Sequence, residues 1–311
     1  MEVIRDIESI PSLQNSIVTT GTFDGVHRGH QKIFKEMKKL SAETGKQTIV
    51  VTFHPHPRIV LKKAPEKLHL LAVLDEKIKR IENTGVDYLV ILKFDHELAS
   101  LTPEKFVCNI LIRKLGADVV FVGYDHQFGK QKSGNIETLK QVSCRNNIDV
   151  REVKALKEKD EIISSTNIRN HIENGTIEKA NNLLGYRYQI TGKVVKGNKL
   201  GRKIGFPTAN IELADKLKLI PMRGVYAVRV FIAGTWHKGM INIGNRPTLN
   251  TAKATVEVHV FELNANLYEQ EITVEFIRFL REERKFSGLD ELSHQLIKDK
   301  EIARKTLHNL D

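Results

Sequence analysis

Between residues 17 and 153 the chain alternates short apolar runs with longer stretches whose apolar positions recur every three or four residues. The runs Ile17–Thr20, Thr48–Phe53, Asp87–Leu92, Asp118–Gly123 and Ile148–Val153 have the length and composition of strands. The stretch Gln31–Thr44 sets Ile33, Phe34, Met37 and Leu40 along one stripe of a helix. Thr102-Pro103 supplies a cap and a first-turn proline for a helix running to Leu115, ahead of Gly116. Strand–helix–strand repetition predicts an α/β domain: a parallel sheet with helices on both faces.

After Gly185 the texture changes. Tyr226–Ile232, Thr255–Leu263 and Ile272–Leu280 read as strands separated by Gly, Asn and Pro turns. They predict a small antiparallel barrel or sandwich, closed by a helix from Leu289 to Leu307. The expected boundary lies near 183–187, giving domains 1–185 and 186–311, and a length of 311 residues suits two domains.

Composition narrows the partners. Hydrophobic residues at 41% and charged residues at 28% are those of a soluble globular protein, and no apolar run reaches the length of a membrane span. The opening MEVIRDIESI carries early acids and no apolar core, so no secretory signal is read. Two cysteines, Cys108 and Cys144, make no disulfide framework, which points to a reducing cytoplasm. A net charge of +11 points to anionic partners, either nucleic acid or nucleotide phosphates. Aromatics at 6%, without a cluster, speak against an RNA-stacking face.

Two segments carry candidate chemistry. Thr20-Gly21-Thr22-Phe23-Asp24-Gly25-Val26-His27-Arg28-Gly29-His30 leaves a strand and enters a helix, where free backbone N–H groups make a phosphate site. His27 and His30, three apart, can face one phosphate and donate to charge developing on it. In the second half, glycines 192, 197, 201 and 205 are interleaved with Lys193, Lys196, Lys199, Arg202 and Lys203, a composition that suits a flap over phosphates. On the residues alone, Ser164, Ser165 and Thr166 are helix caps as readily as phosphate ligands. Arg169 can equally be a solvated helix cation. Val256, Val258 and Val260 share one strand face and leave Glu257 and His259 on the other, where solvated groups are expected on the residues alone.

Longer motifs add a resemblance. HxGH after a first strand resembles the nucleotidyltransferase superfamily, with its Rossmann-like sheet, and FDGVHRGHQ resembles its FAD-synthetase branch. Val122-Gly123-Tyr124-Asp125-His126-Gln127-Phe128-Gly129 and Ile163-Ser164-Ser165-Thr166-Asn167-Ile168-Arg169 resemble further motifs of that branch, as does Thr52-Phe53-His54-Pro55-His56-Pro57. The run G-R-x-I-G-F-P-T-A-N over 201–210 resembles the riboflavin kinase module, followed in the same order by Gly224-Val225-Tyr226-Ala227, Asn242-Ile243-Gly244-Asn245 and Thr255-Val256-Glu257-Val258-His259. The whole is similar to the bifunctional riboflavin kinase/FAD synthetase family of prokaryotes.

That resemblance implies ATP-dependent phosphorylation of riboflavin to FMN and adenylylation of FMN to FAD, with Mg²⁺ as cofactor. It implies that His27 and His30 stabilise the transferring phosphoryl group and that Glu257 is the base on the ribityl hydroxyl. Gly21, Phe23, Asp24, Gly25, Asp125, Ser164, Ser165 and Arg169 would bind substrate in the first half. Gly192, Gly197, Gly205, Thr208, Asn210 and Arg281 would do so in the second, with Thr208 and Asn210 also holding the metal. Partners are then small molecules, flavins and ATP, and neither nucleic acid nor membrane. The chain departs from the family at His126 and Gln127, usually an aromatic and an arginine, and at Glu269, commonly glycine.

Overall fold

The strands expected in the first half all form, each within two residues of its expected ends. The computed structural model describes residues 1–10, 14–62, 68–124, 127–130, 133–197, 201, 204–248, 251–308 and 310. It falls into two compact units, Met1–Ser165 and Thr166–Asp311. In the first, β1 (Glu2–Ile4), β2 (Ser16–Thr20), β3 (Thr48–His54), β4 (Tyr88–Lys93), β5 (Ala117–Gly123) and β6 (Asp149–Val153) form a parallel sheet in the order β1-β4-β3-β2-β5-β6. The chain also forms α1 (Arg28–Thr44), α2 (Pro57–Val60), α3 (Leu74–Glu82), α4 (His96–Ser100), α5 (Pro103–Lys105) and α6 (Ile136–Cys144).

Strand side chains alternate between two cores, which is why the strands are apolar throughout. Val18, Val51, Val90 and Val120 meet Phe106, Val107, Leu111 and Leu139 on one face. Ile17, Val50, Leu89 and Val119 meet Ile33, Phe34, Met37 and Ile81 on the other. The helix expected from Thr102 to Leu115 forms in two pieces. Thr102 Oγ1 caps α5 by accepting the Lys105 N–H at 3.3 Å, and Phe106–Lys114 is then a π-helix, closed by the Leu115 N–H donating to the Ile110 carbonyl at 3.1 Å.

The topology reverses at β2. The chain passes to β3 and β4 on one side, while β5 and β6 lie on the other. Open parallel sheets bind ligands outside the carboxyl ends of the strands at such a reversal. Here β2 runs into Gly21 and β5 into Tyr124.

A two-stranded hairpin, β7 (Lys157–Glu158) and β8 (Glu161–Ile162), leads to α7 (Ser165–Glu173) and α8 (Ile177–Leu184). Then β9 (Gln189–Val195), β10 (Ala209–Leu213), β11 (Gly224–Ile232), β12 (Thr235–Thr248), β13 (Thr251–Val260) and β14 (Glu271–Arg281) close an antiparallel barrel. Tyr226, Val228, Ile241, Val258, Val274 and Phe276 are buried in it. One residue out of phase, Ala227 and Met240 pack with Phe206, Phe261, Ala303 and Leu307 under the closing helix α9 (Leu289–Leu307). The stretch Gly192–Val195, expected as part of a flap, is instead the second half of β9, with Gly192 against the Glu212 backbone.

Helix α8 is fastened to the barrel. Asn181 Nδ2 donates to the Phe276 carbonyl at 2.9 Å, and Asn181 Oδ1 accepts the Tyr188 N–H at 2.7 Å. The Met222 N–H reaches back to the Ile172 carbonyl at 3.1 Å. Ile172, Ile177, Ala180, Leu183 and Leu184 are all buried. Each large aliphatic side chain buried contributes about 1.5–3 kcal/mol. A fragment from Thr166 to Asp311 is therefore expected to fold alone, and one from Tyr186 to melt lower by more than about 10 °C. Thermal melts of the two fragments check this, and equal melting points would contradict it.

Candidate active sites

The N-terminal site forms where β2 ends. Gly21 to Val26 turn tightly, with Phe23 and Val26 at φ of +46° and +41°. Phe23 is buried and packs edge-on against His30 (centroids 5.2 Å apart) and Phe34 (5.1 Å). Its ring is a wall for His30. Asp24 is 2% exposed, and its carboxylate accepts the N–H groups of Leu71 (3.0 Å) and Ala72 (3.1 Å). The Asp24 carbonyl accepts the Ser165 hydroxyl at 2.9 Å. Asp24 thus holds the loop in shape, and Gly25 follows it in the buried turn.

His27 is the N-cap residue of α1 but makes no side-chain cap bond. It is 5% exposed, and its imidazole stacks on that of His30 with centroids 3.6 Å apart and planes 20° from parallel. Gly29 makes this possible, since a Cβ there would lie 3.1 Å from Cε1 and Nδ1 of His27. Burial first, then His27, then Lys77 hold the His30 imidazole well below its ordinary range, so it is neutral at pH 7. Its buried Nδ1 has no hydrogen-bond partner among the described residues. Two stacked imidazoles at the positive end of a 17-residue helix have the chemistry of a candidate anion site.

Ser164 directly precedes α7, Ser165 is its first residue, and Arg169 lies one turn further along the same helix face. Asp125 and His126 lie outside the described residues.

The C-terminal site is a polar row on an otherwise Val- and Ile-rich barrel. Asn210 of β10 pairs with Glu257 of β13, which pairs on its other side with Asn242 of β12. Directly paired residues share a sheet face, so the three line up. Thr208 Oγ1 donates to Glu257 Oε2 at 3.5 Å. Gly197 closes over the row: a Cβ there would lie 2.1 Å from Asn210 Nδ2 and would push that side chain aside. Gly205 sits in the turn before Phe206. Arg281 spends its guanidinium elsewhere, donating Nε and Nη2 to Asp299 at 3.0 and 2.7 Å and Nη1 to the Glu282 carbonyl at 2.9 Å. It ties β14 to α9. Asn242 joins the row through register alone, which no residue pattern announces.

His259 is the other residue that sequence reasoning missed. Strand alternation put it on a solvated face with Glu257, yet it is 6% exposed, beside Phe206 and Phe261. Its Nδ1–H donates to the Pro207 carbonyl at 2.8 Å, the peptide immediately before Thr208. Burial pulls its pKa down, the Pro207 bond opposes that, and Lys300 adds to it.

Fold and sites together define a two-module transferase, with a nucleotidyltransferase-type α/β unit and a β-barrel unit. The chain belongs to the bifunctional riboflavin kinase/FMN adenylyltransferase family. Residues 9–167 match the FAD synthetase family and residues 184–307 the riboflavin kinase family. Bifunctional riboflavin kinase/FMN adenylyltransferases of Buchnera aphidicola (subsp. Schizaphis graminum) and Bacillus subtilis are 40% and 39% identical, the first over 98% of both chains, the second over 95% of this chain and 93% of its own. A crystal structure described as a macrolide-efflux protein from Streptococcus pneumoniae shares the fold over 97% of this chain and 98% of its own, with a TM-score of 0.89 and 32% identity. Among the described residues of the present chain, no helix is long and apolar enough to cross a membrane.

His259 yields a test of the barrel site. His259→Leu removes the donor that fixes Pro207 and is expected to lower riboflavin phosphorylation by about 10–100-fold, the usual cost of losing a group that orients a ligand-holding residue. His259→Asn keeps an N–H near the Nδ1 position and is expected to recover most of that loss. Steady-state phosphorylation rates check it, and equal losses in the two variants would contradict it.

Proposed function

We propose that the chain makes FAD from riboflavin in two ATP-dependent steps, one in each module, with His27 and His30 serving adenylyl transfer and Glu257 serving phosphorylation. The observation that carries the reading is the stacked His27–His30 pair at the start of α1, beside the reversal point of the sheet. In adenylylation an FMN phosphate oxygen attacks the α-phosphorus of ATP, the bond to the β-phosphate oxygen breaks, and pyrophosphate leaves. The two imidazoles donate to oxygens that gain charge in that step, and the α1 dipole adds to them. Ser164, just before α7, and Ser165 and Arg169 in its first turns would hold the ATP phosphates, and Asp125 would help hold the substrates.

In the barrel, Glu257 would take the proton of the ribityl 5′-hydroxyl as its oxygen attacks the γ-phosphorus and ADP departs. Thr208 and Asn210 are oxygen donors of the hard kind that Mg²⁺ prefers, and they flank the Glu257 carboxylate. Among the described residues there is no group of three or more His, Cys, Asp or Glu able to hold a metal. The donor set therefore fits Mg²⁺ arriving with nucleotide, phosphate oxygens and water completing its shell. Bound there, the cation offsets phosphate charge.

Two substitutions test the division of labour. His30→Ala is expected to slow FAD formation from supplied FMN by about 10²–10³-fold, with riboflavin phosphorylation retained. Glu257→Gln keeps shape but not basicity and is expected to slow FMN formation by about 10²–10⁴-fold, with adenylylation of supplied FMN retained. Chromatographic assay of both products in each variant decides it. Normal FAD output from His30→Ala, or normal FMN output from Glu257→Gln, would sink the corresponding assignment.

A further inference from the structure

One cation of the N-terminal unit is buried against the usual rules. Lys77, on α3, is 7% exposed. Buried ammonium groups are ordinarily paired, because the charge loses its water. Among the described residues, Lys77 makes a single hydrogen bond, to Thr52 Oγ1 at a long 3.5 Å. Asp24 lies near enough to favour its charge, but the Asp24 carboxylate accepts the backbone N–H groups of Leu71 and Ala72 and forms no ion pair with Lys77. Burial accordingly pulls the ammonium pKa down.

Its position explains the arrangement. Thr52 Oγ1 donates in turn to the Thr22 carbonyl at 3.3 Å, so Lys77 reaches beneath the loop between β2 and α1. It is close enough to His30 to depress that imidazole. Lys77 thus lies within electrostatic reach of the His27–His30 pair, and the Asp24 carboxylate near it is engaged by backbone N–H groups. An ammonium has three donors, and at most one is engaged here. What Lys77 lacks, among the described residues, is a hydrogen-bonded anion.

We propose that Lys77 is a direct ligand of the nucleotide in adenylyl transfer, its ammonium bonding an oxygen of the ATP polyphosphate beside His27 and His30. This rests on the reading that the His27–His30 site performs that step. The phosphate supplies the anionic partner that Lys77 lacks among the described residues, with the two imidazoles placed to donate beside it.

The competing role is structural, with Lys77 serving only to balance Asp24. Lys77→Met separates the two, because it keeps an unbranched chain of similar length and removes the charge. The proposal expects at least about a 100-fold loss in FMN adenylylation, the cost of one lost donor to developing charge. It also expects an unchanged or higher melting temperature, since an unpaired buried charge has been removed. Riboflavin phosphorylation, carried out in the other unit, serves as the reference activity. Lys77→Gln is the second variant. Adenylylation within about threefold of the parent in either folded variant overturns the proposal. So does a melting temperature lower by more than about 5 °C in both, which marks a structural residue. His30→Ala, run alongside, keeps the two readings apart. If it leaves FAD synthesis intact, the site itself is misassigned; if it abolishes FAD synthesis while Lys77→Met does not, the Lys77 proposal alone falls.

Discussion

The Asp24 carboxylate is the fastening on which the N-terminal site depends. It is buried among groups that would leave a lone charge costly, and the N–H groups of Leu71 and Ala72 satisfy it. Those two residues lead into α3, and the Asp24 carbonyl holds Ser165 at the start of α7. One residue therefore ties the loop after β2 to the segment that leads into α3 and to Ser165. The consequence is chemical as well as structural. With Asp24 engaged by backbone, Lys77 and the His27–His30 pair bring donors toward the start of α1, a composition suited to a polyphosphate.

The barrel reaches the same end with different materials. Its β-branched interior fixes register, and register alone lines up Asn210, Glu257 and Asn242. The His259–Pro207 bond then sets the peptide before Thr208, and Gly197 closes over Asn210. The polar groups proposed to touch ligand are Thr208, Asn210 and Glu257. Most of the burial beside them goes to holding backbone in place, as preorganised sites require.

The sheet was legible in the sequence because its strands are buried on both faces and leave unbroken Val and Ile runs, as in Thr48–Phe53. The histidine pair was legible because a motif carries it. Lys77 was not, since it sits in an amphipathic helix with Lys79 and Arg80 and nothing local says which cation turns inward. His259 misled because alternation assigns an outer face to solvent, whereas here Phe206 and Phe261 cover it. Gly192 misled because glycines in a basic stretch suggest a loop, and the close approach of the Glu212 backbone is visible only in three dimensions. Glu269 shows the reverse. It stands where the family commonly has glycine, and the structure holds it at φ +68°, the left-handed region that favours glycine.

The central claim is that one chain carries riboflavin through to FAD in two separate modules. The most direct measurement is a time course with purified protein, riboflavin, ATP and Mg²⁺, the flavins separated by chromatography. FMN is expected to appear first and then decline as FAD accumulates, with pyrophosphate released in step with FAD. Riboflavin left unchanged, or FMN that accumulates without ever yielding FAD, would contradict it.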